Sequence, residues 1–318
     1  MRQSISCLSG SLAILLLGLI ATRYVFAMPY LAPFYNAQVH LSALATGLAI
    51  LSFVFYHKWY MAMVILGGIA MTAHLPVRSH ALGDMATAQQ AAGKPSLRVL
   101  SFNVLAENLE NGPAIADEIL GSNADVAIVL EARQLASQFA RMASAYPYRL
   151  GCGLETTGCD LVVLSRHPFV EHTVGNLSDL RSERYMHAVI EKDGERINVA
   201  AAHLSKPYFD DYHTVELWRL WRRMARMEGP IVLAGDFNAA SIAPDMMWFL
   251  RSAGLRKAPY EPATWPTPLG PLGIAIDHIY ARAPMRLTAL DRIADNHGSN
   301  HFGLIADLVI EPGSLPRQ

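Results

Sequence analysis

The first 79 residues contain three stretches without a charged side chain, 3–22, 24–57 and 59–77, and nothing else in the sequence restricts the fold as much. A helix needs about 20 predominantly apolar residues to cross a hydrocarbon core, and each stretch supplies them. Three transmembrane helices are expected, centred on LAILLLGLIA, LSALATGLAILSFVFY and WYMAMVILGGIAM. Pro29 and Pro33 stop the first from continuing, because proline removes a helix donor and clashes with the preceding turn. Tyr30, Tyr35, Tyr56, Trp59 and Tyr60 fall near the ends of the spans, where amphipathic rings are favoured at the membrane–water interface. A cleaved signal peptide is the alternative for the first span, since small residues near Ala27 permit cleavage; two further apolar spans directly after it favour an anchor.

Charge divides the chain at the same place. Of 26 Lys+Arg and 27 Asp+Glu, five bases (Arg2, Arg23, Lys58, Arg78, Lys94) and one acid (Asp84) precede Pro95, leaving the remainder at a formal net charge of −5. The expected organisation is an anchor over 1–79, a small, polar linker over 80–95 and a catalytic domain over 96–318. An odd number of spans puts that domain on the opposite side from the N-terminus. The positive-inside count does not choose the side, because Arg2 and Lys58 oppose Arg23 and Arg78. Cys152 and Cys159 flank the loop CGLETTGC and are either two free thiols or a small disulfide, which requires an oxidising compartment. The expectation is a multi-pass protein of the cell (inner) membrane with its C-terminal domain extracytoplasmic.

Beyond residue 95, short apolar runs alternate with helical patterns. Strands are expected in LRVLSFNVL, DVAIVLE, DLVVLS, YMHAVIEK, RINVAAAHL, PIVLAGDFN, IAIDHIYA and GLIADLVIE, and helices in GPAIADEILGS, RQLASQFARMASA, TVELWRLWRRMARM and APDMMWFLRSAG. This alternation indicates an α/β domain, and the Asp193-Gly194 hairpin signal indicates a mixed sheet. Polar residues recur at the C-terminal ends of apolar strands: Asn103, Glu131, His203, and Asp236 with Asn238. In α/β sheets such ends share one edge, so residues far apart in sequence converge there. Asp277 in IAIDHIY and His301 in GSNHFGL add a carboxylate and an imidazole.

In these residues and their order, above all in GDFNA, IDHIY and NHFGL, the chain from about Leu97 to Ile310 resembles the endonuclease/exonuclease/phosphatase superfamily, of deoxyribonuclease I-like fold. The resemblance implies a four-layer sandwich of two packed mixed β-sheets with outer helices. It implies that Glu131 and Asn103 hold a divalent metal, Mg²⁺ or Mn²⁺, and that Asp236 and Asn238 position and activate the attacking water. Asp277 would orient His301 toward the phosphoryl oxygens, with His203 in the same pocket. The family's closing motif reads Ser-Asp-His, whereas Asn300 stands here between Ser299 and His301; it offers an oxygen to a metal but no charge. Arg181 and Arg184 are candidates for gripping a phosphate, their guanidinium forks matching its oxygens, or are solvated surface arginines.

Elementary chemistry supports those roles. Mg²⁺ takes oxygen ligands, keeps several waters and needs only one or two carboxylates. Phosphoryl transfer needs charge neutralisation and an in-line water. An imidazole paired with a carboxylate stays protonated near neutral pH. Singly, each residue has a plainer reading: an Asx turn for Asp236 and Asn238, a turn or cap for Asn103, a helix cap for Glu131, a surface histidine for His203. The fold does not name the substrate. An acidic domain lacks the basic footprint of a nuclease, and tethering concentrates the site near lipid phosphates. The arrangement also resembles a membrane-anchored branch linked to glycopeptide resistance, whose proposed substrate is undecaprenyl pyrophosphate or a related envelope lipid. A lipid-phosphate or pyrophosphate hydrolase is therefore expected, with a tethered nuclease and a non-catalytic membrane sensor as the rivals.

Overall fold

The computed structural model describes residues 2–26 and 28–311; Ala27, the position considered for cleavage, and 312–318, the end of the expected catalytic domain, lie outside the described residues. Three helices are long and apolar enough to cross a membrane: α1 (Arg2–Ala21, extended by a 3-10 turn to Tyr24), α3 (Gln38–Phe55) and α4 (Trp59–His80). Between α1 and α3 the chain makes a 3-10 turn led by Pro29 and the short α2 (Ala32–Asn36), with Pro33 in the first turn where its missing donor costs nothing. The helices pack through small residues. Ala13, Ala45 and Ala49 are buried, and the Ser6 hydroxyl donates to the Ser52 carbonyl at 2.9 Å, the kind of polar contact that holds helices together where lipid supplies no hydrophobic drive.

The segment expected to be a linker is stitched to the domain instead. Leu82 and Ala86 are buried, Gly83 and Met85 form bridges to Lys257 and Leu287, and Asp84 pairs with Arg286 at 2.6 Å. Asp84 N–H donates to the Lys257 carbonyl and Ala86 N–H to that of Leu287. A capping box of Thr87 and Gln90 then starts α5 (Ala88–Ala91). Its polar composition concealed two apolar side chains and one charge that all find partners. Met85 bridges to an edge strand, and a covered edge is protected from stray pairing.

The domain is a sandwich. One sheet has the order β10-β11-β1-β2-β4-β3, from β1 (Ser96–Asn103), β2 (Val126–Leu130), β3 (Tyr148–Gly151), β4 (Leu161–Ser165), β10 (Met285–Arg292) and β11 (Leu304–Ile310). The other has the order β5-β6-β7-β8-β9, from β5 (Phe169–Gly175), β6 (Tyr185–Lys192), β7 (Glu195–His203), β8 (Ile231–Asp236) and β9 (Asp277–Arg282). Parallel pairs β1–β2 and β7–β8 sit among antiparallel ones, so both sheets are mixed. Alternation along each strand divides the apolar residues. Val99, Val126, Ile128, Val199, Val232 and Ile279 fill the space between the sheets, while Leu100, Phe102 and Val129 face α6 (Gly112–Gly121). Leu233 and Tyr280 face α8 (Tyr212–Met224) and α9 (Pro244–Ser252).

All eight expected strands form, and Asp193 and Gly194, both at positive φ, turn the β6–β7 hairpin as anticipated. Three strands were not anticipated: β3, β5 and β10. β5 is an edge strand with mostly exposed side chains, and in β10 a bulge between Leu287 and Ala289 breaks the alternation. The helix expected over 133–145 is a 3-10 segment (Ala132–Gln138) followed by the single-turn α7 (Phe139–Met142). Ile128 lies fully buried in the centre of the inter-sheet core. Ile128→Ala is expected to destabilise the domain by about 2–5 kcal/mol, seen as a lower thermal midpoint of the detergent-solubilised chain.

Candidate active site

Strand register delivers the polar residues to one edge. Asn103 ends β1 opposite Leu130, so Glu131 emerges beside it at the end of parallel β2. On the second sheet His203 and Asp277 are the direct neighbours of Asp236, from parallel β7 and antiparallel β9. Gly235 brings Asp236 into place: its φ is +144°, and a Cβ there would collide with the Ala202 carbonyl of the adjacent strand. The two sheets meet at Asn103, whose amide Nδ2 donates to Glu131 Oε1 at 3.2 Å and to Asp236 Oδ2 at 3.0 Å. Glu131 is held in the left-handed region (φ +56°), and its Oε2 accepts from the Ala106 N–H at 2.8 Å.

Two carboxylate–imidazole pairs flank Asp236. His301 Nδ1 lies 2.8 Å from Asp277 Oδ2, leaving Nε2 directed at Asp236 Oδ2, 3.9 Å away. His203 Nδ1 lies 2.8 Å from Asp160 Oδ2, leaving Nε2 3.8 Å from the same Asp236 oxygen and 4.0 Å from Glu131 Oε1. Asp160 opens the expected strand DLVVLS. It is the second orienting carboxylate, and it also pairs with Arg184 at 2.9 Å. The only sequence signal was its place one residue before an apolar strand, on the side where β4 runs antiparallel to β2.

Asn238, at φ +51°, donates its N–H to Asp236 Oδ1 and its amide to the Leu204 carbonyl, each at 2.8 Å, so an Asx turn and a place in the site coexist. Ser299 fixes the last loop by donating its hydroxyl to the Asn103 carbonyl at 2.7 Å. A cavity of about 760 Å³ opens over these groups. Glu131, His203, Asp236, Asn238, Asn300 and His301 line it, as do Arg181 and Arg184. Asn103 and Asp277 lie beneath, almost fully buried. Pro33 and Asn36 of α2, between the first two candidate spans, form part of the wall.

A model of the endonuclease/exonuclease/phosphatase family matches residues 100–301. The chain belongs to that family. Solved structures share the fold. An endonuclease/exonuclease/phosphatase from Beutenbergia cavernae DSM 12333 is 21% identical with a TM-score of 0.54, covering 68% of this chain and 72% of that one. One from Bacteroides vulgatus is 16% identical with a TM-score of 0.58, covering 69% and 100%. A humanized D. rerio TDP2 is also 16% identical, with a TM-score of 0.55 and coverage of 67% and 98%. No curated protein matches.

In this endonuclease/exonuclease/phosphatase domain the electrostatics separate the acids from the bases. Burial disfavours the His301 cation, but Asp277 and Asp236 outweigh it and push the imidazole up to about 9. Burial, reinforced by Asp277, pushes the Asp236 carboxyl above its usual range against the pull of His301 and His203. Burial would raise Asp160 too, yet His203 and Arg184 hold it down to about 2. Asp236, Asp277 and His301 present ligand atoms within 4.8 Å of one another, and Asp277 Oδ1 is buried without a hydrogen-bond partner among the described residues. The Nδ1 of His301 is already committed to Asp277, so that trio is partly self-satisfied. The convergence of Glu131 and Asp236 on the Asn103 amide fits a hard cation better. Glu131 Oε1 and Asp236 Oδ2 supply carboxylate oxygens there, the donor type that Mg²⁺ and Mn²⁺ favour, and Asn103 Oδ1, which accepts the Leu105 N–H, keeps a second lone pair.

Because His301 is protonated below about 9, turnover that uses its proton is expected to decline as pH rises through that value. His301→Asn should lower kcat by about 10²–10⁴-fold and remove that alkaline limb from the pH–rate profile. Asp160→Asn, which leaves His203 without its orienting carboxylate, is expected to lower kcat/KM by about 10–100-fold, measured on the same substrate.

Proposed function

We propose that this protein is a membrane-anchored, metal-dependent phosphoesterase that hydrolyses lipid-linked phosphate or pyrophosphate esters, of the undecaprenyl pyrophosphate type, at the bilayer surface. The observation that carries the reading is the contribution of the anchor to the pocket. Asn36 Oδ1 accepts the Ala240 N–H at 2.9 Å and Arg23 donates to the Ile242 carbonyl at 2.6 Å, which hold Pro33 and Asn36 in the cavity wall. Leu180, Phe209 and Trp265 line the same cavity and are exposed, so an apolar rim surrounds a polar floor. A lipid headgroup with its chain fits that combination; a nucleic acid approaching a domain of net charge −5 does not.

Glu131, Asn103 and Asn300 are assigned to the divalent cation, Mg²⁺ or Mn²⁺. Bound there, such an ion supplies positive charge to the phosphoryl oxygens and lowers the pKa of bound water. Asp236, its proton affinity raised by burial, accepts a proton from the attacking water while Asn238 keeps the carboxylate aimed. The water oxygen bonds to phosphorus as the bond to the leaving oxygen breaks. His301, oriented by Asp277, and His203, oriented by Asp160, donate hydrogen bonds to the equatorial oxygens, with Arg181 completing the phosphate grip. Arg184 is drawn toward Asp160 and serves the same end through His203. The Cys152–Cys159 disulfide supports an extracytoplasmic domain, because such bonds persist in oxidising compartments.

The full chain in detergent with Mg²⁺ is expected to release phosphate from a polyprenyl pyrophosphate, to stop on addition of EDTA, and in the Glu131→Gln form to need at least roughly tenfold more metal for half-maximal rate. Faster release of nucleotides from DNA or RNA would make it a tethered nuclease. Absence of metal-dependent turnover on every phosphoester would make it a sensor.

A further inference from the structure

A second cavity, of about 270 Å³, lies where the anchor meets the catalytic domain and shares no residue with the active-site pocket. Three arginines from three separate elements line it: Arg23 after α1, Arg78 in the last turn of α4 and Arg251 in the last turn of α9. Tyr24, Leu75 and Trp248 complete the part of the wall that matters here. Among the described residues no carboxylate lines it. Asp245, on the first turn of α9, is the acid closest in sequence to this wall, and it is bound to His213 Nδ1 at 2.9 Å.

Neutral groups hold Arg23. Its Nη1 donates to Gln38 Oε1 at 2.7 Å and its Nη2 to the Ile242 carbonyl at 2.6 Å, and the guanidinium lies 5.8 Å from the ring centres of Tyr24 and Tyr35. These contacts fix its direction without cancelling its charge. Arg78 and Arg251 are exposed, and among the described residues neither side chain makes an ion pair or a hydrogen bond. Three cations around one small cavity, of which Arg23 is partly offset by nearby Asp245, repel one another, a cost that an anion would relieve.

The depth of the cavity selects the anion. Arg23 and Arg78 stand at the domain-side ends of the first and third candidate spans, which run Arg2–Tyr24 and Trp59–His80. That is the level of lipid headgroups, and the partly exposed rings of Tyr24 and Trp248 suit it. We propose that this cavity binds the phosphate of an anionic phospholipid headgroup, gripped by Arg23, Arg78 and Arg251. Guanidinium forks match phosphate oxygens, and basic pockets beside membrane helices are suited to such headgroups. The inference rests on the anchor crossing a bilayer and not on what the active site cleaves.

The test uses the full chain in mixed detergent–lipid micelles, with bound lipid counted by native mass spectrometry. Phosphatidylglycerol is expected to bind and phosphatidylcholine not. Arg78→Gln combined with Arg251→Gln should weaken phosphatidylglycerol binding by roughly 25-fold, about fivefold for each charge removed near the membrane surface. Both side chains lack partners, so the variant should keep the wild-type melting temperature and its metal-dependent turnover. Arg222→Gln with Arg226→Gln, on the last turn of α8 and just beyond it and outside the cavity, should bind phosphatidylglycerol as the wild type does. Equal binding of the two lipids, full retention in the Arg78/Arg251 variant, or an equal loss in the Arg222/Arg226 variant would overturn the proposal. So would inorganic phosphate binding as tightly as phosphatidylglycerol with the same arginine dependence, which would make the ligand a soluble phosphate.

Discussion

Everything at the catalytic edge depends on one amide. Asn103 Nδ2 lies between Glu131, which ends a strand of one sheet, and Asp236, which ends a strand of the other. Two carboxylates that approach across a sandwich edge repel unless something positive stands between them. A side-chain dipole does this in part, and a cation would do it more fully. The mutual position of the sheets, the left-handed turn at Glu131 and the Ser299 clip on the Asn103 carbonyl all converge on that point. Around it the two histidines are arranged almost as images of each other, each oriented through Nδ1 by its own aspartate and each presenting Nε2 to the same oxygen of Asp236.

Much of this was legible in the residues because the physics behind it is local. Apolar runs ending in a polar residue gave Asn103, Glu131, His203 and Asp236, and parallel or antiparallel register then placed them together without further information. Charge-free spans gave the three long apolar helices in the same way. Asp160 was illegible because its role is defined by partners 24 and 43 residues away, Arg184 and His203, and a carboxylate opening a strand has many ordinary explanations. The segment after His80 looked like a tether because composition records polarity and not pairing: Asp84 is a lone acid in a bland stretch until Arg286 is seen beside it. Residues 133–145 carry an apolar period that a helix could use, but the chain runs as a 3-10 segment over Ala132–Gln138, where Gln134 donates to the carbonyls of Val104 and Leu105.

The N-terminal helices do more than precede the domain. Arg23 and Asn36, in the segment that joins the first two candidate spans, bond to the loop that follows Asp236, so that segment and the loop are neighbours in space although about 200 residues separate them in sequence. The family fold supplies the sandwich and the edge chemistry. This chain adds a wall to the pocket from outside that fold.

The stitching of residues 82–87 onto Lys257, Leu287 and Arg286 has a kinetic consequence. On the proposed reading, with the three helices in a bilayer, a domain sewn to its own helix bundle would keep a constant height and tilt above the lipids, whereas one on a floppy leash would sweep a hemisphere. Its encounters with lipid-borne targets would then follow lateral diffusion in two dimensions, and the meaningful concentration would be the number of target molecules per unit area.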